Sequence, residues 1–276
     1  MSKRPWKNFL VVLICLAATA AVAAWLSYGF FPDTSEAADR QSEPRPGQQE
    51  EVPAAYPPPD NPTLNPSSDD KPVVAENPDD AWRLILASPR SPLGYDFTPP
   101  VLEAIADGFM VDARIAPPLR QMMEEARQEG ISLMIISAYR PAHRQAELHG
   151  RQIERFLALG KSEQEAIAVA STIVLPPGTS EHQTGLAVDI VSPYYQALDD
   201  GFADTPAGIW LAENSWRYGF ILRYPRDSIE ITGVIFEPWH FRYVGREHAQ
   251  AIFKGGYLLE EYLYDVLGIR QRTTSP

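Results

Sequence analysis

Apolar and polar residues follow one another in short blocks along the second half of the chain, and the spacing within each block predicts its conformation. Some blocks have apolar residues at helical spacing, and others are flanked by residues that start or end helices. These blocks predict helices over residues 119–129, 141–159, 162–174, 205–218, 246–254 and 258–267. Short apolar runs between turn residues predict strands over 131–137, 185–191, 219–224, 233–236 and 240–244. The block 101–106 is short enough to be either a strand or a helix.

Proline, glycine and serine mark several of these boundaries. Pro117 and Pro118 open the first helix, Gly130 ends it, and Ser162 with Glu165 has the spacing of a capping box. Helices come mostly early and strands mostly late. The sequence therefore predicts an α+β fold, in which a small and mostly antiparallel sheet packs against helices.

The N-terminal 31 residues have a different pattern. Three basic residues lie among the first seven, and the 23 residues 9–31 carry no charge. Such a run is long enough to cross a bilayer, and basic residues before it keep that end in the cytoplasm. We expect either a single-pass signal-anchor that holds the domain outside a bacterial membrane, or a signal peptide cleaved among the small residues 17–24, which releases the domain.

Residues 32–80 have the composition of a linker. They contain eleven prolines, with twelve acidic and three basic residues. A segment that is rich in proline and negative charge buries too little surface to fold, so we expect a disordered spacer. Most of the net charge of −12 is accounted for by this segment. The remaining 81–276 is expected to form one domain, and nothing in it is basic enough to suggest nucleic acid as a partner.

The strongest chemical signal is a buried strand that carries a single carboxylate. Asp189 is the only charged residue in 185–191, and His182 comes seven positions earlier. An ionised carboxylate inside a protein is costly unless it is paired or bound to a metal. From these two positions alone, a metal ligand and a structural hydrogen-bond acceptor are both possible readings.

A second segment supplies the missing parts of a metal site. Glu237 and His240 are three residues apart in a short stretch that also contains Pro238 and Trp239. Two histidines, one aspartate and a nearby glutamate that is not a ligand make up the set found at catalytic zinc ions, where three protein ligands leave the fourth position open. Glu237 would then act as the general base.

A third group lies at the end of the strand 131–137. Arg140 offers a planar fork of donors suited to a carboxylate or to an oxyanion, and Gln145 follows about one helical turn later. A structural salt bridge is the alternative for Arg140. The three remaining histidines, His143, His149 and His248, are expected at the surface. The predicted domain 81–276 has no Ser-x-x-Lys sequence, which argues against a serine penicillin-binding enzyme. The whole chain has no His-Glu-x-x-His sequence.

Four long motifs resemble a known family when they are taken together. SAYRPAHRQ, PPGTSEHQTGLAVDI, WLAENSWRYGFILRYP and EPWHFRYVG occur in this order, and they are similar to the VanY-type D-alanyl-D-alanine carboxypeptidases of peptidase family M15. The resemblance runs from about Asp112 to Leu267. The family often has glycine at the position of Ala138 and an aromatic residue at that of Thr179, and the second difference leaves substrate preference open.

The resemblance implies a role for each residue of these motifs. His182, Asp189 and His240 would bind one Zn²⁺, and Glu237 would be the base. Arg140, Gln145 and Ser180 would contact the terminal residue of a peptidoglycan stem peptide, with Tyr139 close by and Trp239 as a pocket wall. The expected activity is hydrolysis of the terminal D-alanine outside the membrane. An L,D-carboxypeptidase, a dipeptidase and a non-catalytic cell-wall binder are the alternatives.

Overall fold

The computed structural model of the protein describes residues 78–105 and 108–268. The predicted membrane segment and most of the predicted linker lie outside these residues, and both stay predictions. Within the described part of the chain, no helix combines the length and the apolar character needed to cross a membrane.

The described residues form six strands, seven α-helices and one π-helical turn, Tyr262–Val266, joined by several 3₁₀ turns. The strands are β1 (Leu102–Ala104), β2 (Met110–Asp112), β3 (Met134–Ser137), β4 (Ala187–Val191), β5 (Phe220–Leu222) and β6 (His240–Tyr243). The helices are α1 (Ala116–Gln128), α2 (Ala142–Ala158), α3 (Glu163–Ile173), α4 (Pro206–Asn214), α5 (Ile229–Thr232), α6 (Arg246–Gly255) and α7 (Leu259–Glu261). The 3₁₀ turns are Pro78–Leu84, Glu181–Thr184, Asp200–Asp204 and Ser215–Tyr218.

Two antiparallel sheets are present in this part of the chain. β1 and β2 form a hairpin, and the main sheet has the strand order β3-β4-β6-β5, with every neighbouring pair antiparallel. The combination of helices with small antiparallel sheets confirms the predicted α+β class.

The largest hydrophobic core lies between the main sheet and the first helix. α1 contributes Leu119, Met122 and Ala126, which follow helical spacing, and the sheet contributes Ile190 and Phe241, among others. A second core joins α6, α7 and the π-helical turn Tyr262–Val266 to β5, and a third holds α2 against α3. Helices therefore pack against the main sheet and hold it in place, so the sheet is a rigid support for the side chains on its surface.

Local signals in the sequence set several element boundaries. Both prolines lie in the first turn of α1, and α3 begins with the predicted capping box. In that box the Ser162 hydroxyl accepts a hydrogen bond from the Glu165 backbone N–H at 3.4 Å, and the Ser162 N–H donates to the Glu165 carboxylate at 3.0 Å. The residues 101–106 contain a strand rather than a helix.

Two predicted elements are wrong. The segment 233–236 is irregular rather than a strand, because its backbone is bonded to helix ends: Val234 N–H donates to the Thr232 hydroxyl and Ile235 N–H to the Thr172 carbonyl. The helix predicted over 205–218 ends at Asn214, and the chain tightens into the 3₁₀ turn Ser215–Tyr218.

One histidine is also placed wrongly by the sequence. His248 was expected at the surface, but it is 6% exposed, and its Nδ1 lies 2.9 Å from the hydroxyl of Tyr262. The second core explains this position, since His248 lies on the face of α6 that packs there. His143 is exposed as expected, and His149 is half-buried with Nδ1 2.6 Å from the Val174 carbonyl oxygen.

Candidate active site

The register of the main sheet places polar side chains in a row across its strands. Ser137 of β3 is opposite Asp189 of β4, and Asp189 is opposite His240 of β6. Residues that are directly opposite in an antiparallel pair point to the same face. In β6, Phe241 and Tyr243 belong to the hydrophobic core, and His240 and Arg242 alternate with them. The strand periodicity therefore puts Asp189 and His240 side by side on the face away from that core.

The second histidine reaches this row from a short turn. His182 lies in the 3₁₀ turn Glu181–Thr184, and Gly185 ends that turn with a φ of +69° before the chain enters β4. The Nδ1 atom of His182 is 2.7 Å from the Ala138 carbonyl oxygen. Because a carbonyl can only accept, Nδ1 is the protonated nitrogen. The lone pair of Nε2 is left to face Asp189, whose Oδ2 is 3.2 Å away.

These three side chains form a cluster that could hold a metal ion. One ligand atom from each of His182, Asp189 and His240 can be chosen so that all lie within 4.8 Å of one another, and all three residues are buried. The Nδ1 atom of His240 is 3.0 Å from Asp189 Oδ1. Two imidazole nitrogens and one carboxylate oxygen are donors that suit zinc, and three protein ligands are the number used by catalytic zinc sites. The donor set fits a catalytic zinc ion.

The charges of the cluster depend on one another. Burial alone would raise the pKa of Asp189, but His182 and His240 hold it far below its ordinary value. Burial lowers the pKa of His182. Burial acts in the same direction on His240, but the carboxylates of Asp189 and Glu181 beside its ring outweigh it and raise the pKa of His240 to about 9. Without a metal, His240 therefore carries the proton that a cation would displace.

Glu237 is held beside the cluster by a tight turn. His240 N–H donates to the Glu237 carbonyl at 3.1 Å across Pro238 and Trp239, and proline is favoured at the second position of such turns. The Glu237 carboxylate lies 3.8 Å from His240 Nδ1. Burial raises the pKa of Glu237 to about 8. The turn thus places a carboxyl group of nearly neutral pKa next to the predicted metal ligands, as expected for a general base.

Arg140 lies near Oδ2 of Asp189, whereas His240 lies near Oδ1. The Arg140 guanidinium donates to the Gln145 side-chain carbonyl at 3.0 Å and to the Ser137 hydroxyl at 2.9 Å, and it approaches Asp189 Oδ2 at 3.8 Å. The Gln145 amide donates in turn to the Leu175 carbonyl at 2.6 Å. Gln145 therefore anchors Arg140, and its predicted contact with substrate stays a prediction. The Arg140 side chain as a whole is 17% exposed.

The other predicted substrate contacts differ in burial. Tyr139 is half-buried next to Arg140, and Ser180 is buried immediately before the turn that carries His182. Trp239 is 6% exposed and packs in the largest core. Its observed packing is that of a core residue, and its role as a pocket wall stays a prediction.

Three buried charged residues next to the cluster were not identified from the sequence. Glu181 is fully buried, and Arg223 and Arg242 are also buried and bound to it. Burial would raise the pKa of Glu181, but the two guanidinium groups hold it far below its ordinary value. One signal was available in the sequence: Arg242 shares the alternation of His240 along β6, so the two side chains point to the same face of the strand.

Comparisons with known proteins agree with the geometry. Residues 108–246 match the sequence model of a family described as VanY, D-alanyl-D-alanine carboxypeptidase. The chain is 42% identical over 207 residues to a D-alanyl-D-alanine carboxypeptidase of Enterococcus faecalis (strain ATCC 700802 / V583), which covers 69% of this chain and 74% of that relative.

Solved structures are similar over about two thirds of the chain. A variant of the vancomycin resistance D,D-pentapeptidase VanY, in complex with Zn(II), is 42% identical with a TM-score of 0.60, covering 66% of this chain and 99% of that one. VanYB in complex with D-Ala-D-Ala has the same identity and TM-score, covering 66% and 97%. The LD-carboxypeptidase LdcB is 33% identical with a TM-score of 0.56, covering 64% and 83%.

Proposed function

The chain belongs to the VanY family of D-alanyl-D-alanine carboxypeptidases, and we propose that it is a zinc-dependent enzyme that removes the terminal D-alanine from peptidoglycan stem peptides. The observation that carries this proposal is the convergence of His182, Asp189 and His240, with Glu237 beside them. The related structures that contain Zn(II) and D-Ala-D-Ala support the same ion and the same kind of ligand.

The proposed cofactor is one zinc ion per chain, held by His182, Asp189 and His240. Zinc in such a site supplies Lewis-acid chemistry, which activates a water molecule and polarises the scissile carbonyl group. The three side chains offer two neutral nitrogens and one negative oxygen, so the centre keeps a net charge of about +1.

Glu237 performs the proton transfers in this scheme. Its carboxylate takes the proton from the attacking water and passes it to the leaving amino group of D-alanine. A base works best when its pKa lies near the working pH, and the buried position of Glu237 raises its pKa to about 8 in the metal-free protein. The positive charge of the bound ion favours the carboxylate form that accepts the proton.

Arg140 binds the substrate end in this scheme. Gln145 and Ser137 fix two of its nitrogens, so the guanidinium plane is already oriented before a substrate binds. A planar guanidinium pairs well with the terminal carboxylate of the peptide or with an oxyanion. We place Tyr139 and Ser180 near the same terminal residue.

Digestion of defined stem peptides tests this function. The purified protein should release a single D-alanine from a pentapeptide ending in D-Ala-D-Ala, and a chelator should abolish the release until zinc is restored. Binding of the peptide without cleavage would contradict the proposal and favour a non-catalytic cell-wall binder.

A second candidate activity is L,D-carboxypeptidase cleavage of a tetrapeptide. The 33% identity to LdcB favours it. Product analysis on tetrapeptide, pentapeptide and free D-Ala-D-Ala distinguishes a D,D-carboxypeptidase, an L,D-carboxypeptidase and a dipeptidase, because each acts on a different one of these substrates.

For location, we propose that residues 1–31 attach the protein to a bacterial membrane with the enzyme domain outside, across the linker 32–80. The uncharged run 9–31 and the basic residues before it support this arrangement. A secreted protein released by signal cleavage is the alternative. Cell fractionation followed by mass measurement distinguishes the two arrangements. An anchored protein is found in the membrane fraction with residues 1–31 present, and a secreted protein is found outside the cell without its signal peptide.

A further inference from the structure

The scheme above gives no task to Glu181, a buried carboxylate next to the cluster. Glu181 precedes the metal ligand His182 in the chain, and its side chain has no exposed surface. A buried carboxylate is stable only where paired charges and hydrogen bonds replace its hydration. The partners of its two oxygens therefore show what keeps it there.

One oxygen of Glu181 is held by two arginines. Oε1 accepts hydrogen bonds from Arg223 Nε and from Arg242 Nη1, each at 2.8 Å. Arg223 also forks onto the Glu260 carboxylate, at 2.9 and 2.5 Å. Arg242 Nη2 donates at 3.0 and 2.6 Å to the carbonyl oxygens of residues 83 and 85. These contacts fix the plane of the Glu181 carboxylate.

The other oxygen points at a metal ligand. Glu181 Oε2 lies 3.5 Å from His240 Nε2. Within the described residues, neither of these two buried atoms has a hydrogen-bond partner. The separation is slightly longer than an ideal N–H···O bond, and no described group competes for either atom. The opposite ring nitrogen of His240, Nδ1, faces Asp189.

We propose that Glu181 is a positioning residue: it accepts the Nε2 proton of His240 and so holds the ring in the tautomer whose Nδ1 lone pair faces the metal. This inference rests on the zinc site proposed above. Metal-bound histidines commonly donate their second N–H to a carboxylate or a carbonyl, which orients the ring and makes it a stronger donor. His182 uses the neutral Ala138 carbonyl for this purpose, whereas His240 uses a carboxylate.

Glu181→Gln tests the proposal because it keeps the shape of the side chain. Two arginine donors converge on Oε1, so the amide must turn its carbonyl oxygen toward them and its NH₂ toward His240. The amide would then donate to Nε2 and drive the ring proton to Nδ1, where it blocks the metal. We expect zinc affinity, measured by competition with a chromophoric chelator, to fall by about 10–100-fold.

Glu260→Gln is the matched control. It removes a carboxylate from the same network, one that binds Nη1 and Nη2 of Arg223, whereas Glu181 binds Nε. A network that only stabilises the fold predicts that both variants lower the denaturation midpoint and leave the zinc affinity of the folded protein unchanged. Positioning predicts that Glu181→Gln alone weakens zinc binding and alters the visible absorption bands of the cobalt-substituted protein.

A measurement on the unaltered protein covers the case in which Glu181→Gln does not fold. In a long-range ¹H–¹⁵N spectrum of the zinc-loaded protein, the Nε2 proton of His240 should appear downfield and exchange slowly with water. Zinc on Nε2, or a rapidly exchanging proton there, would overturn the proposal. If the unaltered protein bound no zinc, the proposed function itself would fail. If zinc bound equally well to the protein and to Glu181→Gln, only the role of Glu181 would fail.

Discussion

At the scale of single residues, chemistry at this site depends on which groups carry protons. Asp189 and His182 are already in the forms that bind a cation, because the pKa of each is lowered. His240 and Glu237 instead hold protons at neutral pH in the metal-free protein, because their pKa values are raised to about 9 and about 8. The divalent ion therefore competes with a proton on His240, and the working state of Glu237 depends on the charge beside it.

The first prediction concerns the base. Glu237→Gln should retain zinc, since Glu237 is not among the ligands, and should lower turnover by about 10²–10⁴-fold, the range that general acid–base catalysis contributes. Steady-state kinetics with a D-Ala-D-Ala-ended pentapeptide measure this loss, and elemental analysis measures the zinc. Glu230→Gln, at an exposed position in the same stretch, is the control and should behave like the unaltered protein. Near-normal turnover of Glu237→Gln would remove Glu237 from the mechanism.

The second prediction is a pH dependence of zinc binding. A group with a raised pKa keeps its proton up to about pH 9 in the metal-free protein, so each zinc must release the proton of His240 throughout the neutral range. Between pH 6.5 and 8, the apparent zinc affinity should rise about tenfold per pH unit, because one proton is displaced. Titration in the Glu237→Gln background isolates the proton of His240. An affinity that does not change over this range would show that the ligands are already unprotonated.

Some residues of this site can be predicted from the sequence alone, and others cannot. The proposed ligands and Glu237 lie in two short segments, and their residue types together are typical of a zinc site. Glu181, Arg223 and Arg242 are far apart in the chain, and only the register of β5 and β6 with the turn before β4 brings them together. The sequence pattern alone would place these charged residues in the solvent, but the fold buries them.

At the scale of the elements, the turn that joins His182 to β4 determines the positions of two proposed ligands, His182 and Asp189. Gly185 has a φ of +69°, and its carbonyl accepts the N–H of Asp112 at 3.0 Å. A Cβ atom at this position would lie 2.8 Å from that backbone nitrogen. The turn therefore requires glycine both for its conformation and for the close approach of another chain segment.

The third prediction separates these two requirements. Gly160→Ala introduces a Cβ at a φ of +85° with no atom within 4 Å, so it should cost only the strain of the left-handed conformation, about 1–2 kcal/mol. Gly185→Ala adds a backbone clash and should cost clearly more, with weaker zinc binding besides. Urea denaturation gives both free energies of unfolding. Equal losses for the two variants would mean that the turn adjusts freely.

Element prediction succeeded where local residues decide the outcome. The capping box of Ser162 and Glu165 and the two prolines of α1 act within one turn, so the sequence predicts these helix starts correctly. The segment 233–236 has a strand-like composition, but a strand also needs a neighbouring strand. Here the neighbours are helix ends, and no local pattern contains that information.

At the scale of the whole molecule, the proposed ion connects segments that are distant in the chain. It would tie the turn containing His182 to β4 and β6, across the sheet that supports the largest core. A ligand that binds only the folded state stabilises it in proportion to its concentration and affinity. The metal should therefore contribute to the stability of the domain as well as to its chemistry.

The fourth prediction follows from this linkage. Zinc at 100 times its dissociation constant should raise the free energy of unfolding by about 2.7 kcal/mol, seen as a higher melting temperature that a chelator reverses. His240→Ala should fold but show no zinc-dependent shift. His143→Ala, which removes an exposed histidine, should keep the shift and controls for zinc bound at the surface. A full shift in His240→Ala would place the ion elsewhere.

The central claim is that His182, Asp189 and His240 share a single zinc ion, and anomalous X-ray scattering tests it most directly. Crystals of the zinc-loaded protein, measured on both sides of the zinc absorption edge, should show one strong peak per chain in contact with His182 Nε2, the Asp189 carboxylate and His240 Nδ1. A peak bound by other side chains, or no peak among these three in protein shown to contain zinc, would contradict the account.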